Sequence, residues 1–146
     1  MDLLTPQLRA RLIANAAAHH GAMQRASREP APAPVVKFFN PCGAATWLFS
    51  ELDADGDTLF GLCDLGFGCP ELGSASLAEI ASVRAGLGLK IERDLYFTGS
   101  HPLTVYAEAA RQHGGITEND AVLAAAARRL AQTREALPPS VPPDGG

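Results

Sequence analysis

The stretch Phe60–Gly73, FGLCDLGFGCPELG, has the densest set of residues that could do chemistry. It holds the acids Asp64 and Glu71 and the thiols Cys63 and Cys69, set among glycines and a proline. Thiolates bind zinc, carboxylates bind hard cations or transfer protons, and glycine-rich loops cradle phosphate groups. Each of these chemistries requires a particular spacing or particular flanking residues, so the sequence can test it.

Zinc is the first possibility, and the spacing of the thiols argues against it. Five residues separate Cys63 from Cys69, and Cys42 lies further upstream. Structural zinc sites use cysteine pairs about two to four residues apart. The histidines show no finger spacing either: His19, His20, His101 and His113. An odd count of three cysteines also argues against a disulfide framework, so we expect reduced thiols buried in a core, with no metal and no cofactor.

Calcium and phosphate fit no better. Asp53, Asp55 and Asp57 have the spacing of an EF-hand loop, but Thr58 stands where that loop needs glycine, and the flanks have strand character. The glycines of the opening stretch have no P-loop lysine and no helix directly after them. We therefore expect a solvated hairpin turn at residues 53–57 and no phosphate loop.

Carboxylates are the remaining chemical feature. Four acids could transfer protons or hold a divalent ion if the fold brings them together: Glu51, Asp64, Glu71 and Asp94. Acids beside turns more often accept hydrogen bonds from backbone amides. No G-x-S-x-G nucleophile motif is present, so the sequence contains no catalytic signature. Trp47 precedes Glu51 on the same predicted strand face, and an exposed aromatic beside acids is typical of protein recognition. We expect these four acids and Trp47 to form a binding surface.

The elements that position these residues follow from periodicity and breakers. Thr5-Pro6 should start a helix that ends near His20-Gly21, and Ser76 should open a capping box with Glu79. Gly61 inside a strand indicates a bulge or a close backbone approach. Strands are predicted over residues 35–39, 45–52, 58–65 and 90–97, and helices after residues 76, 102 and 117. This order predicts an α+β fold, a small antiparallel sheet with helices packed on one face.

The same patterns divide the chain into four parts. We expect an N-terminal helix over residues 1–21, then a proline-rich linker over residues 22–34. A single α+β domain that includes the last helix should cover residues 35–137, and residues 138–146 should form a disordered tail.

Composition sets the broad class. The chain has 146 residues and a formal net charge of −4, which does not favour a broad nucleic-acid surface. The arginines of the first and last helices could still form a basic strip: Arg9, Arg11, Arg128, Arg129 and Arg134. The start has no secretory pattern and no apolar run is long enough to span a bilayer, so we expect a cytoplasmic protein without membrane contact.

Several short motifs together resemble a known family. They are a strand with Lys37, Thr46-Trp47-Leu48, the LCDLG turn at residues 62–66, the PELG turn at residues 70–73, and Glu92-Arg93-Asp94. In this order they are similar to a family of small bacterial proteins known only as a domain of unknown function, common on plasmids and integrative elements. The resemblance covers about residues 34–111 and leaves the last helix and the tail as additions.

The resemblance implies a mobile-element context and no particular activity. With no catalytic signature, we expect an accessory or protein-interaction module whose partner is another protein. The alternatives are a metal-assisted hydrolase using the carboxylates and a nucleic-acid accessory factor using the arginines. The sequence does not indicate an oligomeric state.

Overall fold

The four predicted strands and one further strand form a single five-stranded antiparallel sheet. The computed structural model describes residues 2–24 and 31–136. The helices are α1 (Pro6–Gln24), α2 (Leu77–Ser82), α3 (Leu103–His113) and α4 (Asp120–Ala136), and the strands are β1 (Val36–Phe39), β2 (Thr46–Leu52), β3 (Thr58–Asp64), β4 (Glu71–Ser76) and β5 (Glu92–Arg93). The strand order is β4-β3-β2-β1-β5. The α+β prediction is confirmed.

Helices cover both faces of the sheet, so the prediction of a single covered face is wrong. One face, which we call the Phe49 face, packs Phe38, Phe49 and Leu59 against Leu12 of α1 and Ile80 of α2. The other, the Leu48 face, packs its apolar residues against α3 and α4: Leu48 and Leu62 against Leu103, Tyr106, Ala109, Leu123 and Ala126. Because successive strand residues point to opposite faces, a nearly continuous apolar run such as TWLF supplies both cores.

The first helix is longer than predicted. Thr5 caps it, accepting the Leu8 amide at 3.1 Å, but α1 continues past Gly21 to Gln24. Residues 22–24 of the expected linker are therefore helical, and residues 25–30 lie outside the described part of the chain. The remaining linker residues pack on the body, where Pro32 accepts the Leu103 amide at 3.0 Å. The expected tail, residues 138–146, also lies outside the described residues.

A bulge in β2 changes which residues share a face. The pairing with β3 shifts between Phe49 and Glu51, so Ser50 is the extra residue. Leu52 thereby joins the face of Phe49, although strict alternation predicts the opposite. Beside the bulge, a Cβ on Gly61 would lie 2.0 Å from the Leu48 carbonyl oxygen, which confirms the predicted close backbone approach.

The turns behave largely as predicted. Asp55 closes the hairpin between β2 and β3 by accepting the Asp57 and Thr58 amides at 2.8 and 2.9 Å. Ser76 caps α2 by accepting the Glu79 amide at 3.2 Å, and Asp57 adds a second cap on the Ala78 amide at 2.8 Å. These contacts engage Asp55 and Asp57, two of the three aspartates with EF-hand spacing, within the hairpin and its neighbour.

The expected strand over residues 90–97 is only two residues long. It does lie at a sheet edge, as predicted, pairing with Phe38 and Phe39. Asp94 then ends it, because its side chain accepts the Tyr96 amide at 2.9 Å and bends the chain into a turn. The alternation of residues 90–97 therefore does not come from a long strand.

Candidate functional site

The opening stretch Phe60–Gly73 forms the end of β3, a loop, and the start of β4. Gly66 and Gly68 have φ angles of 91° and 82°, a region that favours glycine. A Cβ on Gly66 would lie 2.6 Å from the Ala44 Cβ, so this loop rests on the turn between β1 and β2. The glycines therefore allow this loop to pack against the neighbouring turn between β1 and β2 rather than extend beyond the β4 edge.

Asp64 fastens two loops to the end of β3. Its side chain is nearly buried; Oδ1 accepts the Gly66 amide at 2.9 Å and Oδ2 accepts the Ile116 amide at 3.0 Å. Ile116 lies in the connection between α3 and α4, which this carboxylate holds against the sheet. Both oxygens of Asp64 thus bind backbone groups, as acids near turns commonly do.

Glu71 begins β4 and is exposed to solvent. It borders an open groove of about 460 Å³ between β4 and α3, whose other lining residues include Leu72, Ala107 and Leu130. Glu108, also in this groove, is bonded by Arg111 and by Arg129. The hydrogen bond from Arg111, supported by Arg129, holds the pKa of Glu108 below its usual range despite partial burial.

Glu51 and Asp94 each pair with a basic side chain in a different part of the molecule. Glu51 Oε2 lies 3.2 Å from His19 Nδ1, beside a cavity of about 150 Å³ lined also by Asp53 and Ser74. Asp94 Oδ2 lies 3.7 Å from Lys37 Nζ, and the same ammonium lies 2.6 Å from Glu118 Oε2. The contact between His19 and Glu51 joins α1 to β2. The contact between Lys37 and Glu118 joins β1 to the segment before α4.

The four predicted acids do not converge. Thr46 opposes Asp64, and Glu51 is five residues further along β2, which places it about 17 Å away at about 3.4 Å per residue. Throughout residues 2–24 and 31–136, no three His, Cys, Asp or Glu side chains form a group that could hold a metal ion. The hydrolase hypothesis therefore lacks its carboxylate cluster in the described part of the chain.

The arginines of the first and last helices do not form one strip. α1 packs on the Phe49 face and α4 on the Leu48 face. Arg9 donates to the Gly56 carbonyl at 3.3 Å, while Arg129 donates to Glu108 at 3.2 Å. Among the residues that the structure describes, the two helices therefore do not form the shared basic strip that the nucleic-acid hypothesis requires.

Trp47 is not the exposed aromatic that the sequence suggested. It is 8% exposed and belongs to the core of the Phe49 face, since an aromatic in a central strand is buried by the helix layer. The exposed aromatic of this region is Phe67, at 84%, in the loop of the opening stretch. Apolar residues between glycines in a loop, as in LGFGC, are the sequence feature that could have indicated it.

Phe67 belongs to a larger apolar area at one end of the sheet, which we call the loop surface. It consists of residues 40–45 and 65–69, which connect neighbouring strands, and residues 83–90, which lead from α2 to β5. Contacts join the three segments: Gly66 rests on Ala44, and Cys42 Sγ donates to the Gly86 carbonyl at 3.4 Å. The loop surface is therefore contiguous across the sheet end.

The third segment of the loop surface carries a strained leucine. Leu87 has a φ of 63° and is 97% exposed, held between Gly86 and Gly88. A leucine rarely adopts this backbone region, and such strain is concentrated at functional sites. The fold thus holds an apolar side chain in solvent at a conformational cost.

The cysteines lie at or near the same surface. Cys42 and Cys69 are exposed, so the prediction of buried thiols is wrong for both. Cys63 is half-buried, and that burial raises the pKa of its thiol. All three cysteines are free thiols.

The chain belongs to the family described as protein of unknown function DUF2958, which matches residues 3–117. This match starts before α1 and ends before α4, so it is wider than the motif-bearing region of the sequence. No curated protein and no solved structure matches the chain. No helix among the described residues is long and apolar enough to cross a membrane.

Proposed function

We propose that this protein is an interaction module that binds another protein through the loop surface. The observation that carries the proposal is the exposure of Phe67 and Leu87 at two ends of one contiguous area. Leu65 and Leu89 extend the same area. Contiguous exposed apolar area on a folded domain is characteristic of protein interaction sites.

Charge restricts the class of partner. The loop surface contains Arg84 and Lys90 and no acid, although the whole chain has a net charge of −4. Apolar anchors with a cationic rim fit an apolar segment flanked by aspartate or glutamate, because complementary charge at the rim favours association. The partner that fits best is therefore an acidic, apolar protein segment.

The mobile-element context remains part of the proposal. It is supported by the resemblance of the five motifs, from Lys37 to Glu92-Arg93-Asp94, to proteins of plasmids and integrative elements. This context favours a partner that is encoded by the same mobile element and expressed, like this chain, in the cytoplasm.

Site-specific crosslinking tests the loop surface. A photoreactive residue placed at Phe67 or at Leu87 should crosslink the same partner in cells, whereas one placed at Tyr96 should not. Tyr96 is 95% exposed and follows β5 toward the other end of β1, which makes it a matched control.

The purified partner then gives a quantitative test. Phe67→Ser and Lys90→Glu should each weaken binding about tenfold or more, because the first removes an anchor and the second reverses a rim charge. Tyr96→Ser should leave the affinity unchanged. A partner that binds all three variants equally well would contradict the proposed surface.

A further inference from the structure

Within residues 2–24 and 31–136, the outer edge of β4 has no strand paired to it. β4 ends the strand order, and its six residues form an unbroken antiparallel register with β3 on one side only. Within the described residues, no other segment forms backbone bonds with residues 71–75. About half of the N–H and C=O groups of an edge strand point outward and need a partner or water.

This edge has few of the features that usually prevent strand pairing. The sequence ELGSAS contains no lysine or proline, and its register contains no bulge. Glu71, Leu72 and Ser74 are exposed. By contrast, the opposite edge strand, β5, is only two residues long.

We propose that β4 pairs with β4 of a second copy of this chain, antiparallel and about a two-fold axis at Gly73. A two-fold axis that makes edge strands antiparallel must be perpendicular to the sheet, so opposed residues come from the same face. Centring the axis on Gly73 sets Leu72 opposite Ser74 of the other copy and Glu71 opposite Ala75. The two five-stranded sheets become one sheet of ten strands.

The sequence of β4 is complementary to itself in this register. Glu71 is its only charged residue, and it opposes an alanine, so no like charges face each other. At the axis, a Cβ on Gly73 would meet no atom within 4 Å, so two copies can approach without a side-chain clash. Leu72, which lines the β4–α3 groove, would lie beside the junction.

The dimer contact is separate from the loop surface. The loop before β4 leans inward onto Ala44, away from the β4 edge. A dimer would therefore present two loop surfaces, which raises the avidity for a partner that carries two binding segments. The pairing does not depend on whether the loop surface binds a protein.

Sedimentation of the full chain tests the pairing. Wild-type protein should show a concentration-dependent monomer–dimer equilibrium below about 500 µM. Gly73→Lys should raise the dissociation constant about tenfold or more, because it places two cations opposite each other at the axis. Since a side chain at residue 73 meets no neighbour, the melting temperature measured at concentrations where both proteins are monomeric should be unchanged. A wild-type chain that stays monomeric over this range would overturn the proposal.

Disulfide trapping tests the register. In a Cys42→Ser, Cys69→Ser background, Gly73→Cys should form a disulfide-linked dimer, since directly opposed Cα atoms lie about 4.5 to 5.5 Å apart. Ser74→Cys should not, because its two copies would be offset by about 8 Å, beyond the reach of a disulfide. Preferential trapping through Ser74→Cys, or equal trapping at both positions, would overturn the Gly73-centred pairing.

Discussion

Asp64 and Glu71 have similar settings in the sequence and different environments in the fold. Both are acids two residues before a glycine in one stretch of fourteen residues. Asp64 is nearly buried and accepts two amides, one of them from Ile116, 52 residues away, whereas Glu71 is exposed. Only the tertiary contact distinguishes a carboxylate that holds the fold together from one that is free to meet a partner.

Replacing Asp64 should therefore destabilise the protein. Asp64→Ala leaves the Gly66 and Ile116 amides without their acceptor, and we expect the free energy of unfolding to fall by about 3 kcal/mol. Urea denaturation measures this change. Glu71→Ala is the matched control from the same stretch and should change stability by less than about 0.5 kcal/mol. Equal effects of the two variants would contradict the structural role of Asp64.

At the scale of elements, α1 is part of the folded core. Leu12 is fully buried against the Phe49 face, and Asn15 donates to the Ser50 carbonyl at 2.9 Å, at the bulge of β2. A helix that only tethered the domain would not have a buried leucine. The bulge and the helix therefore stabilise each other.

Leu12→Ala should lower the free energy of unfolding by about 3 kcal/mol, because it leaves a cavity under α1. Ile13→Ala, at the next residue and 37% exposed, should cost less than about 1 kcal/mol. Urea denaturation followed by tryptophan fluorescence suits both variants, because Trp47 lies in the same core. A negligible effect of Leu12→Ala would show that α1 is not part of the cooperative unit.

The pairing of α3 with α4 has a pH-dependent part. Because Arg111 and Arg129 lower the pKa of Glu108 in the folded state, its stabilisation is complete above the unfolded pKa, about 4.3, and is lost as pH falls through the lower folded pKa. The stability difference between wild type and Glu108→Gln should therefore be constant at neutral pH and shrink in acid. Denaturation between about pH 3 and 7 measures it, and a difference that grows in acid would contradict the assignment.

Several elements could be predicted because their signals are local. The Asp55 turn and the Ser76 cap depend on neighbouring residues alone. β4 could not, because ELGSAS has no β-branched or aromatic residue and is a strand only through its pairing with β3. The bulge at Ser50 likewise depends on the partner strand and on α1.

The candidate site was less predictable than the fold. The stretch Phe60–Gly73 contains the exposed Phe67, but the prediction for Trp47 required exposure, which depends on which face a helix covers. TWLF alternates between two covered faces, so its tryptophan is buried. Phe67 and Leu87 are exposed in short loops with positive φ angles, and the exposure of a loop residue depends on the three-dimensional path of its loop.

At the scale of the molecule, the family match and the folding unit have different ends. The match stops at residue 117, and α4 begins at Asp120. Leu123 and Ala126 of α4 are nonetheless fully buried against α3 on the Leu48 face. A chain cut after residue 117 would expose the α3 surface that these residues cover, including Ala109 and Ala110.

Removing residues 118–146 should therefore lower the free energy of unfolding by about 5 kcal/mol or more, comparable with the whole stability of a small domain. Urea denaturation together with binding of a hydrophobic dye would detect both the loss and the exposed α3 face. Removing only residues 138–146 is the matched control, because the sequence predicts a disordered tail there and hence no change in stability. If the chain ending at residue 117 unfolds with the same free energy as the full chain, the sheet is self-sufficient without α4, and the burial of Leu123 does not contribute to folding.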